Sequence, residues 1–140
     1  MRSYFIFNNL KVGLHVADAP IPGFSVLGYE PQCSTVGTLW DIGTDAGFSV
    51  IGKTEVKGQL WLAEDVEAIK VLEEFVGLKS GLTEPTKIKV RLKVEDVPPI
   101  FETLDATVYR LTSLKNYYKI VNDGWWALKR WSPNRKEQLC

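Results

Sequence analysis

Short runs of apolar and β-branched residues, separated by Gly- and Asn-rich turns, fill the first half of the chain. Such runs are typical of β-strands, and Gly, Asn and Pro between them mark turns. The pattern predicts strands at 4–7, 24–27, 35–41, 48–51 and 55–62, with Gly52-Lys53 closing the fourth. Residues 13–34 are otherwise irregular. Regular short strands with Gly-rich turns favour a barrel or a strongly curled sheet.

One segment, at residues 63–76, has the periodicity of an amphipathic helix. Acidic residues in its first turn complement the helix dipole, and Gly77 is suited to the position just after a helix. Its apolar stripe consists of Val66, Ile69, Leu72 and either Phe75 or Val76.

Alternation returns in the second half of the chain. Residues 86–96 alternate apolar and basic side chains, which predicts a strand with one solvated face, and Pro98-Pro99 ends it. A further strand is predicted at 106–112, and 117–121 suits a short helix or strand. Trp125 and Trp126 enter a last aromatic stretch that reaches Trp131, and adjacent residues of a strand point to opposite faces.

Composition narrows the class of protein. The 140 residues suit one domain, which we expect at 1–132 with a polar tail at 133–140. The 17 basic and 17 acidic residues balance, so charge favours neither nucleic acid nor an anionic membrane as partner. No apolar window suits a signal peptide or a membrane span, and Cys33 and Cys140 fit a reducing compartment. We therefore expect a soluble, cytoplasmic protein.

Few residues suggest chemistry by themselves. His15 is the only histidine and lacks ligand-spaced neighbours, so we predict neither a metal site nor a cofactor. Cys33 has no histidine nearby in the sequence, and a structural role is the better interpretation. Phe7-Asn8-Asn9-Leu10 ends a strand in a polar turn, whose N–H groups could bind a carboxylate or phosphate. An ordinary turn is the simpler interpretation of that stretch alone.

Six short motifs follow one another between residues 4 and 126. They are Y-F-I-F-N-N-L-K-V-G at 4–13, G-T-L-W-D-I-G at 37–43, V-K-G-Q-L-W at 56–61, L-E-E-F-V-G at 72–77, A-T-V-Y at 106–109 and G-W-W at 124–126. Each motif is weak alone. In this order they resemble the γ-glutamylcyclotransferase-like family, which includes γ-glutamylamine cyclotransferases and plant avirulence-induced relatives.

The resemblance implies an α+β fold, a small mixed β-barrel with flanking helices, and a pocket between the N-terminal turn and the helix end. In the family, amides of that turn hold the substrate carboxylate or oxyanion. A Glu in the L-D-x-F-E-G motif moves the proton of the α-amine, which attacks the γ-carbonyl to give 5-oxoproline. Here Val76 occupies the position of that Glu, and Phe7-Asn8-Asn9 replaces the family's Tyr-Gly-Thr. Gln59 stands where relatives often have Glu.

We therefore expect a non-catalytic protein of this fold that binds, and so sequesters, an amide-bearing or nucleotide-like small molecule. The predicted ligand-binding residues are Phe7, Asn8, Asn9, Leu10, Lys11, Val76 and Tyr109. One alternative is an enzyme of altered mechanism in which Glu73, one helical turn from Val76, or a residue from another segment is the base. Another is an interaction module with a closed pocket and the C-terminal Trp cluster as contact surface. The sequence leaves the oligomeric state open.

Overall fold

The computed structural model describes residues 2–13 and 19–126, which form one mixed sheet and one helix. In chain order the elements are β1 (Arg2–Ile6), β2 (Phe24–Gly28), β3 (Cys33–Asp41), β4 (Ala46–Lys57), β5 (Gln59–Ala63), α1 (Val66–Phe75), β6 (Thr83–Asp96), β7 (Pro99–Leu111) and β8 (Lys119–Ile120). The order across the sheet is β2-β5-β1-β7-β6-β3-β4, and β8 pairs with β3. Strands β1 and β7 are parallel, whereas the other pairs are antiparallel.

The predicted mixed sheet is confirmed, but the closed barrel is not. The hydrogen-bonded path ends at β2 on one side and at β4 on the other, and no ladder joins these two strands within the described residues. Strand β2 has only five residues, and its pairing with β5 shifts register between Val26 and Gly28. A strand this short and irregular has few free main-chain groups with which to pair with β4 and close the sheet into a barrel. Several flanking helices are predicted, but the described part of the chain contains one helix, α1.

Strand β1 lies inside the sheet and is buried on both faces, which explains its unbroken apolar sequence. Phe5, and Phe7 just after the strand, belong to one hydrophobic cluster, whereas Tyr4 and Ile6 belong to a second cluster under α1. Other members of the first cluster are Leu39, Phe48, Leu60, Val90, Val108 and Trp126. Other members of the second are Phe24, Trp61, Ile69, Leu72 and Tyr109. The pleat of β1 therefore divides the core in two.

Helix α1 begins at Val66, three residues later than predicted, because Asp65 caps it. The Asp65 carboxylate accepts a hydrogen bond from the Ala68 amide at 2.8 Å, which satisfies one of the free N–H groups of the first turn. Ala63, predicted to be helical, instead ends β5. The predicted stop at Gly77 is confirmed, since this residue has a φ of +77° that favours glycine.

Only part of the predicted apolar stripe of α1 is buried. Ile69 and Leu72 pack in the second cluster together with Ala68. Val66 and Phe75 remain 65% and 64% exposed, because the ten-residue helix meets the sheet along one narrow face. No helix in residues 2–13 and 19–126 is long and apolar enough to cross a bilayer.

Two predicted strand boundaries are wrong, and both errors involve a glycine. Strand β4 continues through Gly52, predicted as its end, because φ of +132° there accommodates a bulge opposite Gly37. The strand predicted at 55–62 is instead divided at Gly58, where a Cβ would lie 2.6 Å from the Ile6 carbonyl oxygen. The chain therefore passes from β4 to β5 at a point where only glycine fits.

The segments 24–27, 35–41 and 86–96 lie within the longer strands β2, β3 and β6. The strand predicted at 106–112 belongs to β7, which starts earlier and ends at Leu111, and the segment 117–121 contains the two-residue strand β8. The hairpin between β6 and β7 turns at Val97-Pro98, where the sequence predicted a break. Trp125 is 36% exposed and Trp126 is fully buried, so the pair does divide between surface and core. Trp131 and the predicted tail at 133–140 lie outside the described residues.

Gly124 ties the segment after β8 to β4. Its carbonyl accepts a hydrogen bond from the Lys57 amide at 2.8 Å, and its own amide donates to Val121 at 3.1 Å. Its φ is +67°, and a Cβ would lie 2.1 Å from the Glu55 carbonyl oxygen. Both the backbone conformation and the packing therefore require glycine at this position.

We predict that Gly124→Ala lowers the free energy of unfolding by about 2 kcal/mol more than Gly81→Ala does. Both glycines have positive φ, but a Cβ at Gly81 would meet nothing within 4 Å. Gly81→Ala, the control, therefore has the strain of an alanine at positive φ but no steric clash of its Cβ. Urea denaturation of the two variants measures the difference, and equal losses would show that the contact with Glu55 relaxes at no cost.

Candidate functional site

A cavity of about 270 Å³ lies between the turn that follows β1 and the C-terminal end of α1. Four of the predicted ligand-binding residues line it, namely Phe7, Asn8, Val76 and Tyr109. Most of the remaining wall is apolar and comes from Ile42, Ala46, Phe75, Leu82 and Leu111. The structure thus brings the N-terminal turn and the helix end together around one space.

The turn itself has no free main-chain donor among residues 9–12, because each N–H group bonds to an acceptor within the chain. These bonds are Asn9 N to Asp45 Oδ1 at 2.9 Å, Leu10 N to Asn8 Oδ1 at 3.1 Å, Lys11 N to Asn8 O at 3.1 Å and Val12 N to Gln59 Oε1 at 2.9 Å. A group of N–H donors binds an anion only where the donors are available. The N–H groups of residues 9–12 are therefore not available to a bound carboxylate.

Asn9 is a junction between three segments. Its side-chain amide donates to the Thr44 carbonyl at 3.1 Å and accepts from the Trp126 indole N–H at 2.7 Å. Because Trp126 is fully buried, its indole N–H needs an acceptor inside the protein. Asn9 supplies this acceptor and is not among the residues that line the cavity.

Lys11 is 1% exposed and forms an ion pair with Glu30. Burial lowers the pKa of the Lys11 ammonium group, and the nearby Glu30 carboxylate opposes this effect. Gln59 completes the arrangement by donating to Glu30 at 2.9 Å. Leu10 packs against the cluster beneath α1. Asn9, Leu10 and Lys11 therefore belong to the turn but do not line the cavity. Their contact with a ligand stays a prediction.

Glu73 lines a different cavity, of about 510 Å³, on the other side of Tyr109. The Tyr109 hydroxyl donates to Glu73 Oε2 at 3.1 Å, and the Tyr109 ring stacks on Tyr4 with centroids 6.0 Å apart. Burial is the main reason that the pKa of Tyr109 is raised. The structure therefore places the predicted replacement base Glu73 behind Tyr109, away from the cavity that Val76 lines.

Asp45 is the one carboxylate among the described residues of the 270 Å³ cavity. Its Oδ1 atom accepts from the Asn9 amide at 2.9 Å and from the Ala46 amide at 2.7 Å. Burial raises its pKa to about 6, although the two N–H donors act in the opposite direction. The sequence predicted only a turn at 43–47, because nothing local shows that Asp45 lies beside Asn9.

Other candidate groups do not join this site. Burial raises the pKa of the Cys33 thiol to about 12, so this residue stays protonated and is a poor nucleophile. The described residues contain no group of three or more His, Cys, Asp or Glu side chains arranged to hold a metal ion. His15 lies outside the described residues.

Solved structures share this architecture. A gamma-glutamyl cyclotransferase is 19% identical, with a TM-score of 0.58 over 85% of this chain and 69% of that one. An uncharacterized protein from Pyrococcus horikoshii is 15% identical, with a TM-score of 0.60 over 99% of this chain and 97% of that one. The chain has the γ-glutamylcyclotransferase-like fold. No protein-family model and no curated protein sequence matches it.

In this γ-glutamylcyclotransferase-like fold, identities of 15% and 19% establish shared architecture and leave the chemistry to the residues of the site. Val76, at the position where the motif has Glu in the family, lines the cavity with an aliphatic side chain. Asp45 lines the same cavity from the connection between β3 and β4. The carboxylate of the cavity thus comes from a segment that carries none of the expected site residues.

We predict that Asp45→Asn stabilises the protein at about pH 7 by on the order of 2–3 kcal/mol. The folded-state pKa of Asp45, about 6, is above the ordinary value of 3.8, so its ionisation weakens the fold as pH rises between these values. Asn keeps the oxygen that accepts both N–H groups. Urea denaturation should therefore show a difference at about pH 7 that disappears near pH 4.

Asp41→Asn is the matched control for this measurement. Asp41 is the last residue of β3, just before this connection, and also accepts a main-chain hydrogen bond, from Gly43 at 2.9 Å, but it does not line the cavity. Its substitution should leave the pH dependence of the wild type in place. Parallel curves for the wild type and Asp45→Asn would show that the Asp45 carboxyl is not destabilised by burial.

Proposed function

We propose that this protein binds a small molecule in the cavity between the N-terminal turn and the end of α1 and does not convert it. One observation carries the proposal. The N–H groups of residues 9–12 are all bonded within the chain, while the adjoining cavity retains about 270 Å³ of space. These bonds leave residues 9–12 without a free N–H group for a substrate anion, which supports binding without the family's chemistry, while the adjoining space can hold a ligand.

The walls favour a compact ligand with an apolar body. Phe7, Phe75, Val76 and Tyr109 provide apolar surface, and ligand pockets are generally apolar with a few polar groups that fix orientation. No basic side chain belongs to the described lining, so a phosphate-bearing nucleotide is less favoured than an amide-bearing metabolite. Asn8 supplies a side-chain amide for hydrogen bonding. Such binding would sequester the ligand.

The proposal that the ligand is not converted rests on Val76, at the position where the resemblance places the family's Glu. The carboxylate that does line the cavity, Asp45, accepts hydrogen bonds from two main-chain amides. The family's reaction, as the resemblance implies it, needs a carboxylate close to the substrate amine, and a positioned base typically contributes about 10²–10⁴-fold to the rate. Val76 cannot accept a proton. The neighbouring Glu73 bonds to Tyr109 and lines the other cavity, which weakens the alternative of an enzyme that uses Glu73 as base.

The third alternative, an interaction module with a closed pocket, is less favoured because the cavity is open. Trp125, at 36% exposure, is the described member of the Trp cluster that such a module would present. The single-domain division at residue 132 and the cytoplasmic location stay predictions.

We predict no release of 5-oxoproline from a γ-glutamylamine by the wild type, by Glu73→Gln or by Val76→Glu. Val76→Glu should also lower the free energy of unfolding by about 1–2 kcal/mol, because a carboxylate replaces an aliphatic side chain in an apolar wall. Product release above the buffer background is the measurement. Release by Val76→Glu alone would show that the turn is competent for catalysis. Release by the wild type that Glu73→Gln abolishes would establish the altered enzyme.

We predict that amide-bearing metabolites raise the melting temperature of the wild type and that Val76→Phe suppresses this effect, because the larger side chain fills the cavity. Val71→Phe is the matched control, since Val71 also lies in α1, is 40% exposed and does not line the cavity. A thermal-shift screen compares the three proteins. Equal shifts in wild type and Val76→Phe would place the bound molecule elsewhere.

A further inference from the structure

Of the two carboxylate oxygens of Asp45, only Oδ1 accepts hydrogen bonds from the described residues. Oδ1 accepts both main-chain N–H groups, from Asn9 and Ala46, whereas Oδ2 makes no hydrogen bond within residues 2–13 and 19–126. The side chain is mostly shielded from solvent and lines the 270 Å³ cavity. Oδ2 is not among the fully buried side-chain atoms that lack a partner in the described residues, so it stays open to a hydrogen-bond donor from the cavity.

Within the described part of the cavity wall, no basic side chain faces Asp45. Neither Lys nor Arg is among the described residues that line the cavity from the N-terminal turn, the end of α1, β4, β6 and β7. The other titratable group in this lining is the Tyr109 phenol, whose pKa is raised by burial, so that it stays neutral near physiological pH. Lys11, the lysine of the turn, is paired with Glu30 and not with Asp45.

We propose that the cavity selects organic cations that carry N–H donors, such as a primary ammonium group on a short apolar body, and that Asp45 Oδ2 binds this group. This inference rests on the proposed binding function and narrows its ligand class. An amide-bearing ligand of the cavity would then also contain an amine. A charge-assisted hydrogen bond is about twice as strong as a neutral one, which gives the carboxylate its selectivity.

The aromatic lining supports the same class of ligand. Phe7, Phe75 and Tyr109 line the cavity together with Asp45. Aromatic faces attract ammonium groups and also pack against an apolar body. Benzylamine combines both features at a size that suits a small cavity, and benzyl alcohol has nearly the same shape without the charge. The two compounds therefore form a matched pair of probes.

The test is an NMR titration of the full chain with each probe, followed through the main-chain amides of Asn8 and Val76. At about pH 7 we expect benzylamine to bind the wild type about tenfold more tightly than benzyl alcohol. Asp45→Asn should remove this preference, because it keeps Oδ1 and exchanges Oδ2 for an NH₂ group. Asp41→Asn, a change of the same kind outside the cavity, should retain it.

The pH dependence gives a second measurement that needs no variant. Ionisation of Asp45, with a pKa of about 6, is required for the ion pair, while benzylamine stays protonated throughout. The affinity of the wild type for benzylamine should therefore fall about tenfold from pH 7 to pH 5. The affinity for benzyl alcohol should stay unchanged.

The outcomes separate the two proposals. Equal binding of both probes, suppressed by Val76→Phe, would overturn the selection of cations and leave the binding function standing. A preference for benzylamine that survives Asp45→Asn would also overturn the role of Asp45. Binding of neither probe by the wild type would count against the binding function and the inference together.

Discussion

The burial of β1 on both faces is the constraint on which the rest of the structure depends. Its apolar residues at 4–6, with Phe7 just after the strand, supply two hydrophobic clusters, of which the second packs under α1. Pairing with β5 on one edge and with β7 on the other fixes its position in the sheet. The turn that follows must therefore leave the sheet close to the helix end, and the cavity forms where these segments meet.

A few polar contacts fix the conformation of the turn after β1 and the availability of its N–H groups. Asn9 connects the turn to the connection between β3 and β4 and to Trp126, and Asp45 accepts the Asn9 main-chain N–H. These bonds stabilise the geometry of the turn and also use its donors. The same contacts that position the turn thus occupy the N–H groups of residues 9–12, and Asp45 uses Oδ1 alone for them.

Local patterns of the sequence predict most strands and the helix, because burial on one or two faces imposes a visible period. They do not predict that Asp45 lines the cavity or that Lys11 is buried in an ion pair, since both depend on contacts between residues far apart in the chain. Asp45 meets Asn9 across 36 positions, and the bond between Gln59 and Glu30 spans 29. The errors at Gly52 and Gly58 have the same origin, because a glycine within a strand and a glycine between strands look alike in the sequence. The motifs place the cavity between the turn and the helix end, but its carboxylate comes from a segment outside them.

The open sheet has a consequence for the behaviour of the protein at high concentration. Strand β4 lies at the end of the hydrogen-bonded path, and Ile51 there is 82% exposed, so its edge resembles a template for another chain. The bulge at Gly52 bends this edge, and the adjacent Lys53 and Glu55 add charge beside it. Bulges and charged residues are features by which natural sheets resist edge-to-edge aggregation. The glycine that leads to a wrong strand boundary in the sequence thus lies at the irregular point of this sheet edge.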